Sequence, residues 1–248
     1  MFKNKNAIVT GGRRGIGRAI AVALAQRGAN VAVIASKPDG TPILNELKGF
    51  GNFYGYLAAD LSIPSQREKL IDRAEDMLSG KVDILVNCAG TVTDGALTDL
   101  TPEKYIFSRE LLMDAPIDLM QQALPGMCSR RYGKIVNISS VYGIRNAANC
   151  FSYSVFKRAV IAATECVAKS VAQYNVNVNC IAPGTIHTDL TVARNDFSPE
   201  HYQELLKKYP AGRTGKTEDI VAAFLYLASD ASEFVHGHTL VVDGGFLL

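Results

Sequence analysis

Short apolar runs alternate with amphipathic stretches from one end of the chain to the other. Ala7–Thr10, Val31–Ala35, Phe53–Ala58, Ile84–Asn87, Lys134–Ile138, Val176–Ile181 and Thr239–Val242 are predicted strands. Arg18–Arg27 has helical spacing and stops at Gly28, and Ser65–Leu78 has it and stops at Gly80. Thr101-Pro102-Glu103 opens another helix with a cap residue and a proline in the first turn. Ser152–Gln173 and Thr217–Ala228 are also helical in pattern. Strands this continuously apolar are buried on both faces, so the pattern predicts a doubly wound α/β fold: one parallel sheet of about seven strands with helices on both sides. Thr185–Gly212 interrupts the rhythm with a polar stretch that has a helix-like patch near Glu200–Lys208. A break of this kind after a strand is a candidate substrate loop or lid.

Composition narrows the class. The 248 residues carry 26 Lys plus Arg against 24 Asp plus Glu, a net charge of +2, so no basic excess points to nucleic acid. Hydrophobic residues at 48% and charged residues at 20% describe an ordinary globular chain. With no repeat and no Gly-, Pro- or Ser-rich linker, one domain over residues 1–248 is expected rather than two. No apolar run has the roughly 18–20 residues of a membrane span, and Met1–Thr10 lacks the layout of a signal peptide. Cys88, Cys128, Cys150, Cys166 and Cys180 are odd in number and widely spaced, which fits reduced thiols in the cytoplasm.

The first candidate chemistry sits where the first strand meets the first helix, at Thr10-Gly11-Gly12-Arg13-Arg14-Gly15-Ile16-Gly17. Glycines here permit a tight turn and close backbone approach, and the following helix N-terminus offers free N–H groups to a pyrophosphate. Gly11, Arg14, Gly15, Ile16 and Gly17 are therefore candidate dinucleotide contacts in a Rossmann-type fold. An NAD site often ends its second strand with a carboxylate that holds the ribose hydroxyls. Here that strand ends in Ser36-Lys37, which with Arg14 would attract a 2′-phosphate, so NADP(H) is expected over NAD(H).

Tyr153 and Lys157 are four residues apart on a helical pattern and share one face. A nearby ammonium favours the phenolate and lowers a tyrosine pKa from about 10. Such a tyrosine can protonate the oxyanion formed when hydride reaches a carbonyl carbon, or deprotonate an alcohol in reverse. Ser140 closes the preceding strand 13 positions before Tyr153 and could hydrogen-bond the same oxygen. With the glycine pattern, Asp60, Asn87-Cys88-Ala89-Gly90, Pro183-Gly184 and Asp243-Gly244-Gly245, the chain resembles the short-chain dehydrogenase/reductase family over its whole length. That resemblance implies catalytic roles for Ser140, Tyr153 and Lys157. It implies adenine contacts for Asp60 and Leu61, cofactor-lining positions for Asn87, Ala89 and Gly90, and nicotinamide contacts for Ile186 and Thr188 after Pro183-Gly184. It implies no metal. His236-Gly-His238 is expected to be loop or surface histidines, and His187 falls in the substrate loop.

One position departs from the family pattern. Where the family carries a fourth catalytic residue, an Asn that helps bind a water linked to the lysine, the count lands on Leu112. Pro116 has no N–H and deprives the carbonyl four residues back, that of Leu112, of its helical partner. Either that carbonyl compensates for the missing amide, or a neighbouring polar residue substitutes, or activity is low. The nearest-looking branch is the 3-oxoacyl-[acyl-carrier-protein] reductases, on Ala182-Pro-Gly-Thr-Ile-His-Thr-Asp189, Pro210-Ala-Gly-Arg213 and Leu227-Ala-Ser-Asp230. Arg130 and Arg131 could dock an acidic acyl carrier protein, but Gln173-Tyr174-Asn175 replaces a second basic site of that branch. Three readings stay open: a carbonyl reductase for 3-oxoacyl thioesters, an alcohol, sugar or polyol dehydrogenase, and a weakly catalytic cofactor-binding regulator. Excess apolar residues on the long helix (Val155, Val160, Ile161, Cys166, Val167) predict a subunit contact in a homotetramer.

Overall fold

The computed structural model describes residues 1–92, 95–188, 191 and 199–248. Asp189, residues 192–198 of the predicted substrate loop and the His201 side chain lie outside the described residues. The strands are β1 (Asn6–Thr10), β2 (Asn30–Ala35), β3 (Tyr54–Ala58), β4 (Ile84–Asn87), β5 (Gly133–Ile138), β6 (Val176–Pro183) and β7 (Thr239–Val242). They form one parallel sheet in the order β3-β2-β1-β4-β5-β6-β7. Each turns up within a residue or two of its apolar run. The helices are α1 (Gly15–Ala25), α2 (Thr41–Leu47), α3 (Pro64–Arg67), α4 (Leu70–Met77), α5 (Pro102–Arg109), α6 (Ala115–Arg130), α7 (Phe151–Val171), α8 (Pro199–Leu206) and α9 (Thr217–Ala228).

Two apolar layers cover the sheet. Ile20, Leu24, Phe224 and Leu227 of α1 and α9 pack with Val9, Val33 and Val86 on one face. Leu70, Ile71, Leu119, Met120 and Val171 pack with Ile8, Leu85 and Ile135 on the other. The strand order reverses direction between β1 and β4, which opens a crevice at their carboxyl ends. In open parallel sheets, ligands bind in that crevice.

Three expectations change. The helix predicted from Arg18 begins at Gly15, inside the glycine turn. The single helix predicted over Ser65–Leu78 is two, broken at Lys69 with φ 50°. Tertiary contacts cause the break. Arg67 turns inward to three partners, and the Gln122 amide takes over the main chain on both sides, donating to the Arg67 carbonyl (2.9 Å) and accepting from Ile71 N–H (3.2 Å). Finally, Val160 and Ile161 of α7 are buried within their own chain, so less of that helix is spare apolar surface than its sequence implied; Val155 remains exposed.

Candidate active site

The glycine turn is a cradle that side chains would fill. A Cβ on Gly11 would lie 2.8 Å from the Ala89 Cα, and one on Gly17 would lie 2.5 Å from the Gly11 carbonyl oxygen. Gly11 also has φ +66°, which L side chains rarely adopt, and its N–H donates to the Ile34 carbonyl at 2.7 Å. Arg14 is the exposed N-cap of α1, and Ile16 packs on the core beside the turn. Thr188 arrives from the far side of the crevice, its methyl 3.4 Å from where a Gly15 Cβ would be. Thr10, quoted in the motif but given no role there, ties the two central strands together. Its hydroxyl donates to the Val86 carbonyl (3.2 Å) and accepts from Cys88 and Ala89 N–H (3.0 and 3.1 Å).

Ser36 and Lys37 are exposed at the end of β2, as the 2′-phosphate reading requires. The Lys37 carbonyl accepts from the Tyr56 hydroxyl. Arg13, passed over in favour of Arg14, reaches this loop: its Nε donates to the Asp39 carbonyl at 2.9 Å. The Asp39 carboxylate was not weighed either. Hydrogen bonds from Thr41, with Arg13 nearby, hold it below the usual aspartate pKa. Asp60 accepts from both the N–H and hydroxyl of Ser62, and buried Leu61 gives its carbonyl to Arg67.

At the other end of the crevice, Pro183 closes β6 and the Gly184 N–H donates to the Val242 carbonyl at 3.0 Å. A Cβ on Gly184 would stand 3.0 Å from the Asp243 Cα. Ile186 is buried, and exposed His187 lines a cavity of about 400 Å³ with Tyr202, Arg213 and Lys216. His236 and His238 lie in a loop, as expected; His238 is exposed, and His236 Nε2 meets Asn177 Nδ2 at 3.4 Å.

The structure brings the Lys157 ammonium beside the Tyr153 ring, with Ser140 at the end of the neighbouring strand. Ser140 Oγ accepts the Tyr142 N–H at 3.1 Å, a bond that does not use its own O–H. Lys157 is 5% exposed, and its Nζ stands 5.7 Å from the Tyr153 ring centroid. Nζ donates to the Ile138 carbonyl at 2.7 Å, while Ser139 Oγ donates to the Lys157 carbonyl at 2.7 Å. Burial pushes the ammonium below the usual lysine pKa, with Cys88 and Cys180 working in the opposite direction. The same burial raises both thiols to about 11. Gly90 passes close by, since a Cβ there would lie 3.6 Å from Lys157 Nζ and 3.1 Å from Leu112.

Comparison with known proteins agrees with this arrangement. The profile of a family described as enoyl-(acyl carrier protein) reductase matches residues 11–247. The chain belongs to the short-chain dehydrogenase/reductase family. It is 37% identical over 247 residues to the 3-oxoacyl-[acyl-carrier-protein] reductase of Vibrio cholerae, covering 100% of this chain and 99% of the relative. It is 35% identical to an uncharacterised Escherichia coli oxidoreductase, YgcW, covering 100% and 94%. An NADP-bound 3-oxoacyl (acyl-carrier-protein) reductase from Agrobacterium tumefaciens superposes with a TM-score of 0.92 at 34% identity, over 98% of this chain and 95% of that one. A second NADP-bound structure from that organism, provisionally described as a 2-deoxy-D-gluconate 3-dehydrogenase, gives 0.89 at 32%, over 99% and 97%. The protein is thus an oxidoreductase.

This short-chain dehydrogenase/reductase departs from a regular helix at Leu112. Glu110–Asp114 form a π-turn between α5 and α6. The Ala115 N–H reaches back five residues to the Glu110 carbonyl, and Pro116 has no N–H to give. Leu112 therefore loses its i+4 donor, as expected, and Leu111 loses both its i+4 and i+5 donors. Arg67 holds the turn, donating to Glu110 (2.8 Å), Asp118 (2.7 Å) and the Leu61 carbonyl (2.7 Å). Arg109 adds bonds to Glu110 and Asp114. Burial alone would raise the Glu110 carboxyl, but the hydrogen bonds from Arg67 and Arg109 hold it low. Between the turn and Lys157 lies a cavity of about 10 Å³, lined by Leu111, Leu112, Pro116, Asn87 and Lys157 among others. Asn87 Nδ2 donates to Asn137 Oδ1 (2.8 Å), while its buried Oδ1 has no partner among the described residues.

Proposed function

We propose that this enzyme is an NADP(H)-dependent oxidoreductase that interconverts a small carbonyl compound and its alcohol, with Ser140, Tyr153 and Lys157 as the proton-handling group. The observation that carries the reading is the buried Lys157 ammonium beside Tyr153, with the Ser140 hydroxyl at the end of the neighbouring strand. The glycine cradle fits a pyrophosphate, and Arg14, Ser36 and Lys37 fit a 2′-phosphate. NADP bound in two of the superposed structures supports that choice. Asp60, Leu61, Asn87, Ala89, Gly90, Ile186 and Thr188 line the rest of the cofactor path on this reading. The nicotinamide supplies or accepts the hydride. Ser140 donates a hydrogen bond to the substrate oxygen, Tyr153 gives or takes its proton, and Lys157 favours the phenolate form.

The π-turn belongs to the same reading. An orphaned Asn87 Oδ1, carbonyls short of donors and an ammonium surround a cavity at the lower bound, about 10–15 Å³, of what one water fills. A water there would link Lys157 to the main chain without the amide that Leu112 lacks.

The test is a panel of ketones and alcohols with NADPH and NADH. Turnover with NADPH is expected, and Tyr153→Phe should lower kcat by about 10²–10⁴-fold while NADPH affinity stays within about twofold. Full activity in that variant would sink the catalytic assignment.

The curated relatives favour 3-oxoacyl thioesters carried by an acyl carrier protein. A second reading, a free sugar or polyol as substrate, is favoured by the superposed structure provisionally described as a 2-deoxy-D-gluconate 3-dehydrogenase. Arg130 donates to the Val82 carbonyl (2.6 Å) and Arg131 to the Gln173 carbonyl (2.9 Å); both are exposed, and most of their donors remain for an acidic partner. A homotetramer fits the exposed Ile106, Phe107 and Val155, and a cytoplasmic setting fits five free thiols.

A further inference from the structure

The loop between Ser140 and the helix carrying Tyr153 holds Arg145, an exposed residue. Its guanidinium donates to the carbonyls of Phe246 (3.1 Å) and Leu247 (2.9 Å) and lies 5.8 Å from the Phe246 ring centroid. Phe246 in turn meets Tyr142 (ring centroids 6.4 Å apart) and Tyr209 (5.2 Å). Buried Tyr209 takes the Thr185 N–H on its hydroxyl at 2.8 Å, joining the two ends of the 185–212 segment. The C-terminal tail is itself fixed: Asp243 accepts from Gly245 and Leu247 N–H, and the Gly244 carbonyl accepts from Ala211 N–H. Three segments that must flank a substrate at Ser140 and Tyr153 therefore converge on Phe246, and Arg145 is clamped where they meet.

The clamp is made of carbonyls. Arg18, Arg67, Arg109 and Arg213 each pair with a carboxylate, and five other arginines each donate to a single carbonyl, whereas Arg145 forks onto two carbonyls with no carboxylate among the described residues. Both Asp243 oxygens are taken by main-chain N–H groups. Two carbonyls orient the guanidinium without neutralising it, and they use two of its five donors. A planar cation held this way is preorganised for a carboxylate.

We propose that Arg145 is a specificity-determining residue that binds the carboxylate of a small keto or hydroxy acid, with Phe246 and its two tyrosines as the wall behind it. This deepens the proposed function and rests on Ser140 and Tyr153 performing the chemistry. It makes the enzyme's substrate class sugar-acid-like rather than a neutral thioester.

The experiment compares 5-keto-D-gluconate with its methyl ester, which removes the charge and keeps the skeleton, at saturating NADPH. Wild type should prefer the acid by at least about 30-fold in kcat/KM. Arg145→Gln should shrink that preference to about threefold or less, through the KM for the acid. Arg145→Lys, which keeps the charge and loses the fork, should fall between. If neither compound is turned over, calorimetric binding of D-gluconate and of neutral sorbitol to the NADPH-loaded protein reads the same preference. Equal handling of acid and neutral partner by wild type, or an unchanged preference in Arg145→Gln, overturns the proposal. Loss of all turnover in Tyr153→Phe with the acid preference intact in binding would leave both readings standing, whereas an active Tyr153→Phe overturns only the chemistry.

Discussion

Lys157 is held differently on its two sides. Towards β5 and the start of α7, direct bonds fix it: Nζ to the Ile138 carbonyl and its own carbonyl to Ser139. A Cβ on Gly143 would sit 2.9 Å from its carbonyl carbon, so only glycine lets the loop approach so closely. Towards β4 and the π-turn there is a cavity of about 10 Å³, an Asn87 oxygen with no partner among the described residues and a Leu112 carbonyl without its i+4 donor. The tight side sets where the lysine stands. The open side leaves room for a small polar molecule beside its charge. On the proposed reading, main-chain geometry would supply the acceptor that the side chain at 112 lacks.

Breaking the clamp on the open side should have the largest effect. Arg67→Met leaves Glu110 with Arg109 alone, unpairs the part-exposed Asp118 and frees the buried Leu61 carbonyl, so a loss of about 2–3 kcal/mol is expected in urea unfolding. A loss below about 1 kcal/mol would show that the π-turn stands without its ion pairs. Pro116→Ala sharpens the contrast more gently, because it returns an N–H that can satisfy the Leu112 carbonyl. A roughly tenfold drop in kcat is expected, about 1.4 kcal/mol, with little change in stability. An unchanged kcat would mean that the open side is idle in catalysis.

A third test titrates the two sides together. Burial lowers the lysine pKa, so Lys157 loses its charge at a lower pH than an ordinary lysine, and kcat should decline on the alkaline side below pH 10.5. Stability has its own sign. Cys88 and Cys180, raised to about 11 from 9.0, keep protons in the folded chain that the unfolded chain has released. Stability should therefore fall as pH rises from about 9 to 11. Lys157 and Lys134, both lowered by burial, oppose this, while the raised Cys128, Tyr56 and Tyr132 act in the same direction as the two thiols. Stability that climbs over that range would contradict the burial of the thiols.

The strands, the parallel sheet and the glycine turn were legible because each rests on local pattern. Apolar runs mark buried strands, and Gly11 and Gly17 are needed wherever the backbone folds this tightly on itself. Tyr153, Lys157 and Ser140 were legible as candidates only because their spacing stands beside the glycine turn and the other motifs of the family, since the i, i+4 pair alone is common by chance. Arg13 and Asp39 were missed. Their relation depends on how the β2–α2 loop bends back across the turn, and no periodicity encodes that. The direction of the irregularity at Pro116 was readable, but its extent was not. A missing N–H strips one carbonyl, whereas the π-turn strips Leu111 as well.

By itself the sequence determined the order of elements, the dinucleotide cradle and the reacting pair, because hydrophobic period, glycine and i, i+4 spacing act over a few residues. Only the tertiary structure decided the break at Lys69, the π-turn beside Lys157 and the meeting of Arg145 with the C-terminal tail. Each of these depends on groups dozens of residues apart. Arg67 finds Glu110 and Arg145 finds Phe246 only after the sheet has brought their segments together.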